Sequence, residues 1–219
     1  MSGPLTDRAI RDRVKIGRDA AVIGEVAYLR LEVEPFHEAT KVEPCGRQVV
    51  GYGITSMGYD VRLDTAFRRV LPLEPGACAI DIADPNVGLN FGPVERVGMY
   101  EPFVLEPHGC ALGQTIERFR IPPDVLAVVM GKSTMARCFL NLNCTPLEPG
   151  WQGKITLELA NLTARPLIVR PGFGIGQVVF LAAYGCPDVT YDKKPGAAYQ
   201  DQDEPTLPRL FPPPSVERA

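Results

Sequence analysis

The sequence has no excess of positive charge and no long apolar run. Its 23 basic side chains stand against 26 acidic ones, which gives a net charge of -3. Sequence-independent binding to nucleic acid needs a basic surplus, so we expect no nucleic-acid partner. The longest uncharged apolar stretch, Val125–Gly131, is far shorter than the roughly 20 residues that cross a bilayer. The N-terminus lacks an apolar signal core. We therefore expect a cytoplasmic protein without a membrane partner.

Histidine is scarce, and the cysteines are dispersed. There are two histidines, and none of the six cysteines forms a Cys-x-x-Cys pair. Nothing resembles a nucleophilic triad or a metal-ligand pair, and the zinc deaminase signature of His-x-Glu with Pro-Cys-x-x-Cys is absent. The sequence therefore predicts no metal ligands, and it predicts free thiols instead of a disulfide framework.

Glycine and proline, by contrast, are abundant, with 21 and 22 residues among 219. This composition disfavours long helices and favours strands joined by tight turns. One helix is predicted over residues 6–16, with Thr6 as its cap. Short apolar runs between Gly and Pro predict strands at 58–63, 77–80, 125–129, 155–159 and 177–181. The fold is therefore expected to be a mainly β sandwich or barrel, and the length fits one generous domain or two small ones. Residues 193–219 are Pro-rich and are predicted to form a flexible tail.

One predicted strand carries an acid at its centre. In residues 155–160, Ile155, Leu157 and Leu159 point toward one face, whereas Thr156 and Glu158 share the other. Periodicity alone favours a solvent-facing carboxylate at Glu158, because charged side chains are mostly exposed. A functional carboxylate is the alternative.

The segment 131–137, Gly-Lys-Ser-Thr-Met-Ala-Arg, is a candidate phosphate loop. It ends like a Walker loop, but Leu126 stands where that motif requires glycine. A glycine before a short helix exposes backbone N–H groups, and Lys132 and Arg137 add positive charge. A capped short helix with basic surface residues is equally consistent with the sequence.

Several ordered motifs resemble the dCTP deaminases of the deaminase and dUTPase superfamily. The motifs are Gly51-Tyr-Gly-Ile-Thr-Ser-Met-Gly-Tyr-Asp-Val-Arg-Leu63, Gly131-Lys-Ser-Thr-Met-Ala-Arg-Cys138, Thr145-Pro-Leu-Glu-Pro-Gly-Trp-Gln-Gly153, Ile155-Thr-Leu-Glu158 with Asn161, Pro171-Gly with Ile175-Gly-Gln177, and a tail with Tyr191, Ala198-Tyr199 and Gln202. The resemblance covers roughly residues 49–209. An insert at about 20–48 has no counterpart.

The resemblance implies a single domain over residues 1–192, a compact, distorted β-barrel or jelly-roll-like domain of the dUTPase-like β-clip type, with a few short helices. It implies hydrolytic conversion of dCTP to dUTP and ammonia in pyrimidine deoxynucleotide biosynthesis. It further implies a homotrimer with shared active sites and a tail from residue 193 that closes over them. No zinc is implied, and Mg²⁺ would accompany the nucleotide triphosphate.

The resemblance also implies roles for single residues. Glu158 matches the catalytic glutamate, Ser133 the serine that places the water, and Arg137 the arginine beside that glutamate. Substrate-binding positions are implied in the same motifs and in the tail, namely Lys132, Thr134, Met135, Ala136, Glu148, Thr156, Leu157, Tyr191 and Gln202.

One position departs from the family pattern. Ala198 precedes Tyr199 where a phosphate-binding lysine is usual, and Lys193 or Lys194 are nearby substitutes. The preference for a triphosphate over shorter phosphates, and the tolerance of modified cytosine, are therefore open.

Two other functions are consistent with the sequence. One is a dUTP diphosphatase, alone or coupled to deamination, in which Glu148 would activate water. The other is a non-catalytic nucleotide sensor that kept the fold. The presence of Glu158, Ser133 and Arg137 together favours the deaminase.

Overall fold

The structure is a computed structural model that describes residues 3–16, 21–23, 26–39, 50–72, 79–84 and 86–209. Within these ranges the chain forms mainly short strands. In chain order the strands are β1 (Gly3–Pro4), β2 (Ala21–Ile23), β3 (Val26–Tyr28), β4 (Glu32–Glu34), β5 (Gly53–Thr55), β6 (Gly58–Arg62), β7 (Ala66–Arg69), β8 (Glu95–Arg96), β9 (Phe103–Leu105), β10 (Cys110–Arg120), β11 (Val125–Gly131), β12 (Leu140–Asn143), β13 (Gln152–Asn161), β14 (Leu167–Val169) and β15 (Gly174–Ala182). The helices are α1 (Asp7–Lys15) and α2 (Ser133–Arg137), with 3-10 turns at Val87–Asn90 and Tyr191–Lys193.

Helix α1 confirms the helix predicted from the sequence. The Thr6 hydroxyl accepts a hydrogen bond from Ala9 N at 3.3 Å, which caps the first turn. Ile10 is fully buried in the core. The nearly buried guanidinium of Arg13 donates to both carboxylate oxygens of Asp124, at 3.0 and 2.7 Å. This ion pair ties the helix to the start of β11.

The first sheet is built around β15. Strand β11 pairs along one side of it, while β6 and β1 pair with different parts of the other side. Strand β5 extends the sheet beyond β6. All of these pairs are antiparallel. Strand β11 ends at Gly131, so the motif at 131–137 follows directly from this strand.

The second sheet contains the strand that carries Glu158. Strands β10 and β13 form its centre, with β12 beside β13, and β7 and β4 beside β10. The pairing of β10 with β13 shifts between Gln114 and Arg118. In that irregular stretch, the Thr115 hydroxyl accepts a hydrogen bond from Ile155 N at 3.0 Å. The fully buried Glu117 accepts from the backbone N and the Nε of Arg62, at 2.9 and 2.8 Å.

The two sheets enclose one apolar core. The rings of Phe67 and Phe103 stack with centroids 3.9 Å apart, and aliphatic side chains of β11, β13 and β15 belong to the same core cluster. Burial of such side chains is the main stabilising contribution to a fold of this kind. In the described ranges no helix is long and apolar enough to cross a membrane.

The mainly β prediction is confirmed, and within the described ranges the sheets stay open instead of closing into a barrel. The strands predicted at 58–63, 125–129, 155–159 and 177–181 are present. The strand predicted at 77–80 falls partly outside the described residues, and residues 79–80 are not in a strand. In the insert at 20–48, β2 pairs with β3, and β4 joins the end of β10, so part of this insert extends the second sheet.

Candidate active site

Glu158 lies in the wall of a cavity of 730 Å³. Burial alternates along β13 as the sequence predicted, with Ile155, Leu157 and Leu159 in the core and the side chains between them partly exposed. In the sheet, Glu158 stands opposite Leu112 of β10 and Asn143 of β12. The carboxyl group therefore projects from a rigid three-stranded platform, which fixes its position.

The environment of Glu158 favours the neutral acid. Its Oε2 atom is buried and has no hydrogen-bond partner in the described part of the chain. Burial raises the pKa of the carboxyl group from 4.5 to about 7, and a backbone hydrogen bond opposes this rise in part. A carboxyl group with a pKa near neutrality both accepts and donates protons at physiological pH, which is the property required of a general acid–base catalyst.

Cys144 is a cavity residue that the sequence analysis missed. It follows β12 directly, and its thiol donates to the carbonyl oxygen of Thr156 at 3.4 Å. Burial, and secondly the nearby Glu158 carboxylate, raise the pKa of this thiol, so it is neutral at physiological pH. The antiparallel pairing of β12 with β13 brings Cys144 close to Glu158. Only the strand register reveals this proximity.

The C-terminal segment, residues 199–206, packs against β13, the strand that carries Glu158. The Thr156 hydroxyl donates to Gln202 Oε1 at 2.9 Å and accepts from Thr206 N at 3.3 Å. Lys154 N donates to Gln202 O at 2.8 Å, so the segment pairs with the part of β13 that β12 leaves uncovered. A Cβ atom at Gly153, whose φ is +142°, would lie 2.8 Å from Gln202 N. Glycine at this position therefore permits the close approach of the segment.

Two aromatic residues hold the beginning of this segment. Trp151 Nε1 donates to the carbonyl oxygen of Tyr199 at 2.8 Å, and Tyr199 N donates to the Tyr191 hydroxyl at 3.0 Å. All three side chains line the Glu158 cavity. Tyr191 and Gln202 thus line the same cavity as Glu158, and their contact with the substrate stays a prediction.

Glu148 also lines this cavity, at a more exposed position. Its carboxylate accepts from Lys194 Nζ at 3.2 Å, and its side chain is 44% exposed. Leu157 differs from the other predicted substrate-binding residues because its side chain is fully buried on the opposite face of β13. Leu157 accordingly does not line the Glu158 cavity.

The structure does not bring the 131–137 segment into the Glu158 cavity of the same chain. Helix α2 presents Ser133, Thr134, Ala136 and Arg137 on the surface, and none of them lines the cavity, whereas Met135 packs against the core. The Arg137 guanidinium donates to the carbonyl oxygen of Ser133 at 3.1 Å. A site that contains both Glu158 and Arg137 would therefore need two copies of the chain.

Lys132 is already engaged within the chain. Its ammonium group forms an ion pair with Asp60 and donates to the carbonyl oxygen of Gly51 at 2.8 Å. This contact attaches the start of α2 to the first sheet. For the predicted phosphate contact, the Lys132 ammonium group would have to leave Asp60 or contact Asp60 and the phosphate together.

Among the described residues, no three His, Cys, Asp or Glu side chains are grouped so as to hold a metal ion. The absence of zinc from the reaction stays a prediction from the sequence.

Comparison with known proteins identifies the family. The sequence profile described as dCTP deaminase-like matches residues 16–183. The chain belongs to the dCTP deaminase-like family. It is 39% identical over 188 residues to the dCTP deaminase of Erythrobacter litoralis, an alignment that covers 86% of this chain and 96% of that protein. It is 42% identical over 163 residues to the dCTP deaminase of Herpetosiphon aurantiacus, covering 74% and 84% respectively.

A solved structure supports the fold of this family member. The crystal structure of 2'-deoxycytidine 5'-triphosphate deaminase from Agrobacterium tumefaciens matches with a TM-score of 0.53 and 20% sequence identity. The match covers 83% of this chain and 49% of that one, so the chain spans about half the length of that protein. At this identity the likeness establishes the shared fold.

Proposed function

We propose that this protein is a hydrolase that converts dCTP and water to dUTP and ammonia, within pyrimidine deoxynucleotide biosynthesis in the cytoplasm. The observation that carries the proposal is Glu158, a half-buried carboxyl group with a pKa near 7 and an unpartnered oxygen, in the wall of a large cavity. Membership of the dCTP deaminase-like family supplies the substrate class.

The proposed reaction uses Glu158 in both directions. The ionised carboxylate removes a proton from water as its oxygen forms a bond to C4 of cytosine, and the proton is passed to N3. The carboxylate then takes the hydroxyl proton of the tetrahedral intermediate and gives it to the amino nitrogen. The bond between C4 and that nitrogen breaks, and ammonia leaves. A pKa near neutrality suits both transfers.

The other catalytic groups belong to the same proposal. Ser133 would place the attacking water, and Arg137 would stabilise negative charge beside Glu158. The sequence lacks the zinc deaminase signature, so Glu158 is assigned the activation of water without a resident metal. Mg²⁺ enters with the triphosphate as part of the substrate.

We propose a homotrimer in which each active site combines two copies of the chain. The exposed α2 residues support this arrangement, because the described chain leaves Ser133 and Arg137 outside its own Glu158 cavity. Two large apolar side chains next to this helix, Phe139 and Leu162, are 63% and 58% exposed. Exposed apolar groups of this size are typical of surfaces that associate.

Product analysis tests the proposed function. The full chain is incubated with dCTP and Mg²⁺, the nucleotides are separated by chromatography, and ammonia and pyrophosphate are assayed. We expect equal amounts of dUTP and ammonia. Release of pyrophosphate and dUMP from dCTP would indicate a bifunctional enzyme. Release of the same two products only when dUTP is the substrate would indicate a diphosphatase. Binding of dCTP without turnover would refute the enzymatic proposal and indicate a nucleotide sensor.

A further inference from the structure

Two acids of the C-terminal segment, one on each side of Gln202, bind the same arginine. Arg118 donates from Nη2 to Asp201 Oδ1 at 2.8 Å and from Nη1 to Asp203 Oδ1 at 2.6 Å. Arg118 lies near the end of β10, and neither it nor the two acids line the Glu158 cavity. One guanidinium group therefore holds both neighbours of Gln202 from outside that cavity.

The residue between the two acids makes a different contact. Gln202 lines the Glu158 cavity, and its Oε1 atom accepts a hydrogen bond from the Thr156 hydroxyl at 2.9 Å. Its carbonyl oxygen accepts from Lys154 N at 2.8 Å, which ties the segment to β13 at this point. The position of the Gln202 side chain therefore depends on how the segment is held at residues 201 and 203.

The backbone of the segment is constrained at Asp201. Its φ angle is +56°, in the left-handed region that few residues other than glycine adopt, although Asp tolerates it better than most. Asp201 N donates to the carbonyl oxygen of Gln152 at 2.9 Å, and Asp201 Oδ1 accepts from Gln152 Nε2 at 2.8 Å. An uncommon backbone conformation persists only where its surroundings stabilise it. The ion pair with Arg118 is one of the contacts that do so.

We propose that Arg118 is a positioning residue of the active site. By binding the acids on either side of Gln202, it holds that side chain in the wall of the Glu158 cavity. The inference rests on the proposed function, because Gln202 is predicted to contact the substrate. A planar guanidinium group presents donors on two separate nitrogens and can hold two carboxylates at once, which suits it to this role better than an ammonium group.

The size of the effect follows from the exposure of the ion pairs. The Arg118 side chain is 38% exposed, and those of Asp201 and Asp203 are 55% and 75% exposed. Exposed ion pairs each shift an equilibrium by up to about five-fold, and salt weakens them. We therefore expect the two ion pairs together to change the docking equilibrium of the segment by about 3–10-fold.

Steady-state kinetics test the assignment. Arg118→Met is compared with Arg120→Met, a matched control on the same strand whose ion-pair partner is Glu32, at 4.0 Å. We expect KM for dCTP to rise about 3–10-fold in Arg118→Met, because binding must then restore the docked segment, while kcat stays within about two-fold of wild type. The control should behave as wild type. An unchanged KM, a fall in kcat alone, or an equal effect in the control would overturn the proposal.

A double-mutant cycle tests whether Arg118 acts through Gln202. In a Gln202→Ala background, Arg118→Met should raise KM by less than about two-fold, because the side chain that it positions is already gone. An Asp201→Asn/Asp203→Asn variant removes both charges, and Asn tolerates the left-handed conformation at position 201. It should match Arg118→Met. A full rise of KM in the Gln202→Ala background, or wild-type KM in the Asn variant, would contradict the proposal.

Hydrogen exchange provides a readout that does not depend on deamination. The amides of Asp201 and Lys154 are hydrogen-bonded between the segment and β13, whereas that of Ile155 is bonded within the second sheet and serves as the reference. By NMR we expect Arg118→Met to speed exchange of the first two amides about 3–10-fold and to leave the reference unchanged. If wild type lacks deaminase activity but shows this pattern, the proposed function fails and Arg118 still holds the segment. Unchanged exchange at both amides refutes the role of Arg118 itself.

Discussion

Replacing Glu158 with glutamine should make the folded protein more stable at alkaline pH. The carboxyl group is half-buried and one of its oxygens has no partner, so its ionisation in the folded state is unfavourable. Glutamine has nearly the same shape and carries no charge. The residue proposed for catalysis is therefore expected to reduce stability, as is common for functional sites.

The magnitude follows from the pKa. A rise from 4.5 to about 7 corresponds to at most about 3–4 kcal/mol, at about 1.36 kcal/mol for each tenfold change in the ionisation constant. Solvent reaches part of the Glu158 side chain and screens the effect, so we expect about 1–2 kcal/mol. Because the folded-state pKa is raised, the loss of unfolding free energy that ionised Glu158 causes in the wild type is absent below pH 4.5. This loss grows as the pH increases toward 7, and it is fully present above 7.

Urea denaturation at pH 5 and pH 8 measures this difference. The Arg137→Met variant is compared with the Arg137→Met/Glu158→Gln double variant. Arg137 is removed from both because the proposed trimer would bring its positive charge close to Glu158. We expect Glu158→Gln to increase the unfolding free energy, and we expect this increase to be about 1–2 kcal/mol larger at pH 8 than at pH 5. Glu148→Gln is the control, since this acid lines the same cavity but is more exposed to solvent and paired with a lysine. A gain that is absent, or equal at both pH values, would refute the stated environment of Glu158.

Three further outcomes are expected. If each site takes Glu158 from one copy and Arg137 from another, mixing the inactive Glu158→Gln and Arg137→Ala chains under subunit exchange should restore up to about a quarter of wild-type activity. No recovery after demonstrated exchange would contradict the shared site. Thr156→Val removes both side-chain hydrogen bonds to the C-terminal segment, each worth about 0.5–1.5 kcal/mol, so amide hydrogen exchange at residues 199–206 should become faster; unchanged exchange would show that the segment is held by other contacts. Glu117→Ala leaves the guanidinium of Arg62 without its buried partner and should reduce the unfolding free energy by about 3–5 kcal/mol in urea; a loss below about 1 kcal/mol would contradict this role of the ion pair.

The parts of the fold that depend on local pattern were predictable from the sequence. The cap and apolar stripe of α1 lie within a few consecutive residues, and the alternation in β13 lies within six. Both predictions are confirmed, since tertiary packing only reinforces these local preferences. The ordered motifs also indicated the family, and the profile match over residues 16–183 confirms it.

The parts that depend on strand register were not predictable. Cys144 and Leu112 reach Glu158 only because β12 and β10 pair with β13 at particular positions. Nothing in a single sequence specifies which residues stand opposite one another, since a shift of one residue exchanges the two faces of a strand. The resemblance already implied shared active sites, and the structure adds that α2 of the described chain lies outside the Glu158 cavity of the same chain.

The contacts of the C-terminal segment were also not predictable. Its composition predicted a flexible tail, and this stays a prediction; in the structure, residues 199–206 lie against β13 through backbone pairing and the space at Gly153. These contacts join residues about 50 positions apart, so no local pattern reveals them. Whether the segment becomes more ordered when a nucleotide binds stays a prediction.

The rate of dCTP deamination by Glu158→Gln tests the central claim most directly. Single-turnover and steady-state rates are measured beside dCTP affinity, with Glu106→Gln, an exposed acid in another loop, as the control. General acid–base catalysis contributes about 10²–10⁴ in rate, and this residue serves both halves of the reaction. We expect a loss at or beyond the upper end of that range, with dCTP binding little changed and the control as active as wild type. Deamination by Glu158→Gln within a few-fold of the wild-type rate would contradict the assignment of Glu158 as the catalytic acid and base.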